Sequence, residues 1–149
     1  MKPQELILIS DWGEERGQQT LKMIREGYNN KECLMSIVST ENAEHYIWGS
    51  ICDGWHLAKS SNLSVIQERV PPNSSEVRHY HQRSEQFFYV LAGQATLELE
   101  NSHIHTLKTN QGFHVTQGVT HKLSNQGSED LHLLVISCPP SHGDRVTME

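Results

Sequence analysis

From Gly54 onward the chain is written in short runs of alternating apolar and polar residues, each closed by turn-forming residues. Alternation over about four to eight residues predicts half-buried strands. The runs are Gly54–Lys59, Leu63–Val70, Glu76–Tyr80, Gln86–Leu91, Ala95–Glu100, Ile104–Lys108, Phe113–Thr116, His121–Ser124 and Leu131–Ser137. Between them stand Pro71-Pro72-Asn73, Ala92-Gly93, Glu100-Asn101, Asn110-Gln111-Gly112, Gln117-Gly118 and Asn125-Gln126-Gly127, all turn signals. Strands this short, at roughly ten-residue spacing, predict an all-β sandwich or barrel. The texture differs before Met35. Glu14 to Asn30 predicts a short helix, with Leu21, Ile24 and Tyr28 on one side, acids in the first turn and Asn29-Asn30 at the end. The reading is an N-terminal arm over residues 1–34 and one β domain over 35–149.

Composition narrows the class. With 149 residues there is room for one domain and a proper core. A net charge of −6, with Lys and Arg scattered singly among acids, argues against a nucleic-acid footprint, which needs a basic stripe. The apolar stretch Leu6–Ile9 is too short for a signal-peptide core or a membrane span. Cys33, Cys52 and Cys138 are odd in number and lack CxxC spacing. They predict a reduced, cytoplasmic setting, with the cysteines as small buried hydrophobes.

The chemistry-bearing stretch is RHYHQRSEQFFYVLAG, Arg78 to Gly93. Residues two apart on a strand share a face, so His79 and His81 project together and Tyr80 turns away. His121 lies on a later strand with Leu123 and Asn125 on its face. Imidazoles suit zinc, iron and nickel, and a mixed nitrogen and oxygen set also admits manganese. Ten histidines make a His-x-His pair cheap to obtain by chance. A second pair, His103 and His105, abuts a turn with no third ligand after it, and reads as surface decoration.

The stretch His79 to Gly93 resembles the first motif of the cupins: His-x-His, three or four residues, Glu, six residues, Gly. Asn110 to Asn125 is similar to their second motif, with Gly118, His121 and Asn125 in place. Asn110 stands where the family has Gly, and Thr116 where it has Pro. Asn is the side chain that best tolerates a left-handed turn, so the first departure is mild. The resemblance covers Leu63 to Ser137. It implies a double-stranded β-helix, or jelly-roll barrel, and a divalent metal (Zn, Mn, Fe or Ni) held by His79, His81, His121 and one further group. Asn42 to Leu57 and Ser137 to Val146 resemble segments of small single-domain bacterial cupins.

The further ligand has two claimants. Counting forward from His81 reaches Glu85; counting back from Gly93 through a regular strand reaches Gln86. Strand register is specified more tightly than loop length, which favours Gln86, with Glu85 as the alternative. An amide leaves the ion its full charge, and so a stronger Lewis acid. The set His79, His81, Gln86 and His121 is similar to that of cupins that linearise unsaturated uronates.

Pocket candidates are Trp48, Arg69, Arg78 and Phe88. Arg69 and Arg78 are read either as clamps for a substrate carboxylate or as surface charges. Phe87, Tyr89 and Phe113 read first as core. His56, Tyr89 and His114 are the acid–base candidates. The tail residues His142 and Arg145 either fold over the barrel mouth or remain mobile. Three functions compete: metal-assisted isomerase or lyase chemistry on a sugar acid or carbonyl compound, an iron- or nickel-dependent dioxygenase, and a non-catalytic small-molecule binder. Expected partners are a small ligand and a second copy in a homodimer, with neither nucleic acid nor membrane.

Overall fold

A computed structural model describes residues 36–148. The arm, its helix and Cys33 lie outside the described residues. Among the described residues eleven strands follow in chain order: β1 (Glu44–Trp48), β2 (Cys52–Lys59), β3 (Ser64–Val70), β4 (His79–His81), β5 (Glu85–Ala92), β6 (Gln94–Leu99), β7 (Ile104–Lys108), β8 (Gly112–Val115), β9 (His121–Ser124), β10 (Leu131–Cys138) and β11 (Arg145–Thr147). They form two antiparallel sheets, ordered β1-β2-β3-β10-β5-β8 and β11-β4-β9-β6-β7. The nine predicted runs are all present. β1 and β11 are additions that the alternation did not announce. No helix among the described residues is long and apolar enough to cross a membrane.

Parity builds the core. On β10 every second residue from Leu131 to Ser137 is buried, and β3 and β5 pair on either side of it. Val135 therefore stands between Ile66 and Phe88, and Leu133 between Glu68 and Val90. Ala95, Leu97, Leu107 and Leu123 close the core from the opposite sheet. Layers of facing side chains of this kind carry most of the stabilisation of a small β domain.

Two turns show why their residues are needed. Gly93 has φ +81°, and a Cβ there would lie 2.6 Å from the Asp130 carbonyl oxygen. Asn110 adopts φ +65°, the left-handed conformation expected of a residue standing in for glycine. Cys52 is buried as expected, whereas Cys138 is exposed. Cys138 ends β10 just past the alternating core positions, so the burial expected of it does not extend to the strand end. Phe87 is a second correction. It is 38% exposed, because β5 turns Gln86, Phe88 and Val90 inward and Phe87 out.

Gly93→Ala is expected to destabilise the domain by about 1–3 kcal/mol through backbone strain, with the Asp130 clash adding to it. Urea unfolding followed by tryptophan fluorescence measures the loss.

Candidate metal centre and its cavity

Strand β4 is three residues long, and both its histidines face inward, His79 at 2% and His81 at 5% exposure. On one side it pairs with β9 at a single position, His79 opposite His121. On the other side β11 pairs with all three of its residues. The chain before β11 adds a second grip. The buried Asp144 carboxylate accepts backbone N–H groups from Arg83 (2.9 Å) and Ser84 (2.8 Å), in the turn that follows His81. Those two hydrogen bonds, with the Arg83 guanidinium, hold the Asp144 carboxyl below the usual range. The tail is therefore ordered against the ligand-bearing strand.

Three imidazoles converge: one ring nitrogen from each of His79, His81 and His121 lies within 4.8 Å of the other two. The Nδ1 of His79 bonds the Val77 carbonyl at 2.8 Å, and the Nδ1 of His121 bonds the Val119 carbonyl at 2.9 Å. Each ring must donate through Nδ1, since its partner is an acceptor, and so Nε2 presents a lone pair. Both ring nitrogens of His81 are buried without a hydrogen-bond partner of good geometry. Burial pushes all three histidines toward the neutral form, His79 down to about 3 and His121 to about 4. Neutral imidazoles aimed at one point are what a metal ion requires.

Gln86 arrives from β5 in the other sheet and is buried. Its Oε1 lies 3.0 Å from His121 Nε2, and its Nε2 donates to Ser137 Oγ at 3.2 Å. Two acceptors thus face each other. A shared cation satisfies both lone pairs; without one, the amide turned over would do so through its N–H. Glu85 lies on the outer face, where its carboxylate meets His114 Nε2 at 3.1 Å. The residues present fit a divalent ion held by His79, His81, His121 and the Gln86 amide oxygen, with open positions on the cavity side.

The cavity has a volume of about 270 Å³. Trp48, Ile66, Phe88, Leu123 and Val135 form its apolar wall. Tyr46, Glu68, Glu76, His142 and Arg145 supply its polar side. Of the pocket candidates, Trp48 and Phe88 line it. The arginines among them do not. Arg69 is held by Asp53 (2.6 Å) and Asp130 (3.2 Å), and Arg78 by Glu98 (2.5 Å), so their guanidinium groups are spent on structural pairs away from the cavity. Of the acid–base candidates, His114 and Tyr89 lie off the cavity. His114 is tied to Glu85, and Tyr89 stacks on Phe87 with ring centroids 6.4 Å apart. Strand parity sends both outward. His56 sits beside the mouth, 5.1 Å from the Tyr46 ring and 5.4 Å from the His142 ring, centroid to centroid.

Sequence reasoning missed Glu68 and Glu76. Glu68 belongs to the inward set Ser64, Ile66, Glu68 and Val70, a signal readable from period two. Among the described residues it makes no hydrogen bond or ion pair. Glu76 accepts the Leu123 N–H at 2.8 Å, and its other oxygen lies 3.9 Å from His79 Nε2. Burial raises both carboxyls, Glu68 to about 8 and Glu76 to about 7.

Known proteins resemble this chain over the same region. The family model described as Cupin domain matches residues 66–137. A protein of Methanocaldococcus jannaschii, MJ1618, is 30% identical over 95 residues, which span 63% of this chain and 75% of that one. The polyketide cyclase RemF from Streptomyces resistomycificus superposes with a TM-score of 0.68 at 17% identity, covering 77% of this chain and 86% of RemF. A sugar phosphate isomerase from Silicibacter pomeroyi gives 0.62 at 18% identity, covering 70% and 76%.

The buried groups predict a pH profile for the metal-free protein. His79 and His121 titrate lower in the fold than unfolded, so stability falls as pH drops below about 6.5 and the unfolded chain takes up protons. Glu68 and Glu76 titrate higher in the fold, so their contribution is full below about 4.5 and is lost as pH rises toward 7 and 8. The thermal midpoint of chelator-treated protein is expected to peak at about pH 5–6. Glu68→Gln should flatten the alkaline side of that curve.

Proposed function

The chain belongs to the cupin domain family, and on that footing we propose that it is a metal-dependent enzyme for a small polar organic molecule, a sugar acid or carbonyl compound, working by isomerase- or lyase-type chemistry. The observation that carries this reading is the convergence of His79, His81, His121 and Gln86 at the wall of a cavity that also holds carboxyls outside the ligand set. A closed structural metal site needs neither the cavity nor the acids.

A divalent ion bound there supplies Lewis-acid polarisation of a carbonyl, enediol or carboxylate oxygen. The chain's own residues do the rest. Ser137 accepts from the Gln86 amide and so keeps its oxygen turned toward His121. Trp48, Ile66, Phe88 and Val135 exclude water along one wall, which strengthens every polar contact inside. Glu68, inward-facing and without a partner among the described residues, serves in its ionised form as the base that takes a proton at one carbon and returns it at another, the exchange an isomerisation needs. His142 and Arg145 line the cavity from the tail. Arg145 donates to the Val77 carbonyl at 2.9 Å, and among the described residues it makes no ion pair, which leaves guanidinium donors for an anionic ligand.

An inward Glu85, giving the site a carboxylate ligand, would favour the dioxygenase reading. Glu85 instead meets His114 on the outer face, which withdraws the support that reading had. The polyketide cyclase and sugar phosphate isomerase neighbours share the fold alone at these identities. Free Cys52 and Cys138 accord with a reduced, cytoplasmic setting. β1 ends its sheet with Ile47 63% exposed, which suits a homodimer formed along that strand.

Elemental analysis of purified protein is expected to find a divalent metal. His81→Ala, His121→Ala and Gln86→Ala should each lower bound metal at least about tenfold, while Glu85→Ala keeps it. Ser137→Ala should weaken binding by about 10–100-fold, the usual cost of losing a group that orients a ligand. Chelator competition measures each value, and uronates, keto acids and small diols are the first substrates to screen. Oxygen uptake with any of them would restore the dioxygenase reading.

A further inference from the structure

The candidate ligand set of this site carries no negative charge, because Gln86 puts an amide where the motif it resembles has a glutamate. A carboxylate is nevertheless present nearby. Glu76 lies three residues before His79, in an irregular segment that approaches β9 from the side. Its backbone N–H donates to the Leu123 carbonyl at 3.0 Å, and the Leu123 N–H donates to Glu76 Oε1 at 2.8 Å. This two-way tie fixes both the residue and its side chain. Leu123 itself is two residues beyond His121 on the inward face of β9.

The remaining oxygen, Oε2, lies 3.9 Å from His79 Nε2. That nitrogen is the one aimed at the convergence point, since Nδ1 is taken by Val77. Atoms bound to one ion at about 2.0–2.2 Å each are at most about 4.4 Å apart. Oε2 is within that limit of His79 but stands outside the cluster formed by the three imidazole nitrogens. Glu76 also lines the cavity. Its free oxygen therefore stands beside the histidine cluster on the cavity lining, the side left for water or a ligand oxygen were an ion bound there.

We propose that Glu76 supplies this centre with the carboxylate its ligand motif lacks, acting from outside the ligand set as acceptor and counter-charge to whatever oxygen the ion holds on its open side. The proposal rests on the reading that His79, His81, His121 and Gln86 hold a divalent ion. In a water-poor cavity, a charge one hydrogen bond away from the ion attracts it strongly, and partners at this remove commonly govern metal affinity. Glu76 is a positioning residue in this sense, distinct from Glu68, which has no tie to the histidine cluster.

The test uses the metal alone. Dissociation constants for Zn(II) and Mn(II) are measured by chelator competition at fixed pH for the wild type, Glu76→Gln, Glu76→Asp and Glu85→Gln. Glutamine keeps an acceptor for the Leu123 N–H while replacing the charged second oxygen with an amide nitrogen. Glu76→Gln is expected to weaken both metals at least about tenfold, Mn(II) more, because hard cations depend more on carboxylate. Glu76→Asp should recover part of the loss, and Glu85→Gln should match the wild type. Wild-type binding with Glu76→Gln within twofold of it overturns this inference and leaves the metal reading standing. A wild type that takes up neither metal overturns both. Should Glu76→Gln fail to fold, a crystal structure of the metal-loaded wild type decides: Oε2 within hydrogen-bond reach of an ion-bound oxygen supports the inference, and a carboxylate turned away from the ion defeats it.

Discussion

The meeting of β4 and β9 at one residue pair, His79 opposite His121, is the joint around which the site is built. A three-residue strand cannot hold itself, since two or three ladder bonds scarcely offset the entropy of fixing its backbone. Here the strand is enclosed. β11 pairs along its outer edge, Asp144 grips the turn beyond it, and Ser84 Oγ donates to the Pro139 carbonyl at 2.7 Å. The last ten or so residues of the domain thus reach back across the sequence to a segment some sixty residues earlier and make the histidine pair rigid. They also place His142, Gly143 and Arg145 in the cavity wall. Positioning the histidines and shaping the cavity are one structural act.

Rigidity extends to the second sheet through hydrogen bonds. Gln86 and Ser137 stand opposite each other across β5 and β10, and their side chains are bonded inside the barrel. Ser137 in turn donates to Ser141 Oγ at 3.3 Å, which ties the amide to the same tail that clamps β4. Asn125 performs a comparable task lower down. Buried at 1%, it donates to the Val70 and Glu129 carbonyls and accepts the Gly127 N–H, so its place in the motif is explained by turn geometry. Buried polar groups that find partners in this way define a single arrangement where apolar contacts would permit several.

Much of this was legible in the chain because period two survives wherever strands are regular. The nine runs, the inward turn of Gln86 and Phe88, and the outward turn of Glu85 follow from alternation. What escaped did so for identifiable reasons. β1 and β11 are edge strands with mixed exposure, and their sequences alternate poorly. The stretch Glu76–Tyr80 read as one strand, which would put Glu76 on the outer face with Arg78 and Tyr80. In the fold the strand begins only at His79, and the irregular segment before it turns Glu76 inward. Arg69 and Arg78 drew attention as free cations because their partners, Asp53, Asp130 and Glu98, are remote in sequence or lie on other strands. Pairings of that kind are set by sheet order, which no local pattern encodes.

Glu68 carries the argument one step further. It occupies a layer whose other members are Leu133 and Val90, and the residue opposite it on β2 is Gly54. A Cβ on Gly54 would fall 2.4 Å from the Tyr46 ring, so the glycine is the space in which that ring lies across the sheet. Burial, with the nearby Glu68 carboxylate adding to it, raises the Tyr46 phenol well above its usual range. Each of these choices works against stability. A carboxyl without a partner in a largely apolar layer costs about 1–3 kcal/mol, and a leucine at that position would fill the cavity instead. Packing therefore gives no reason for an acid there. Among the described residues no cation or donor reaches the carboxyl, and the space it faces is the cavity it lines beside Glu76 and Arg145.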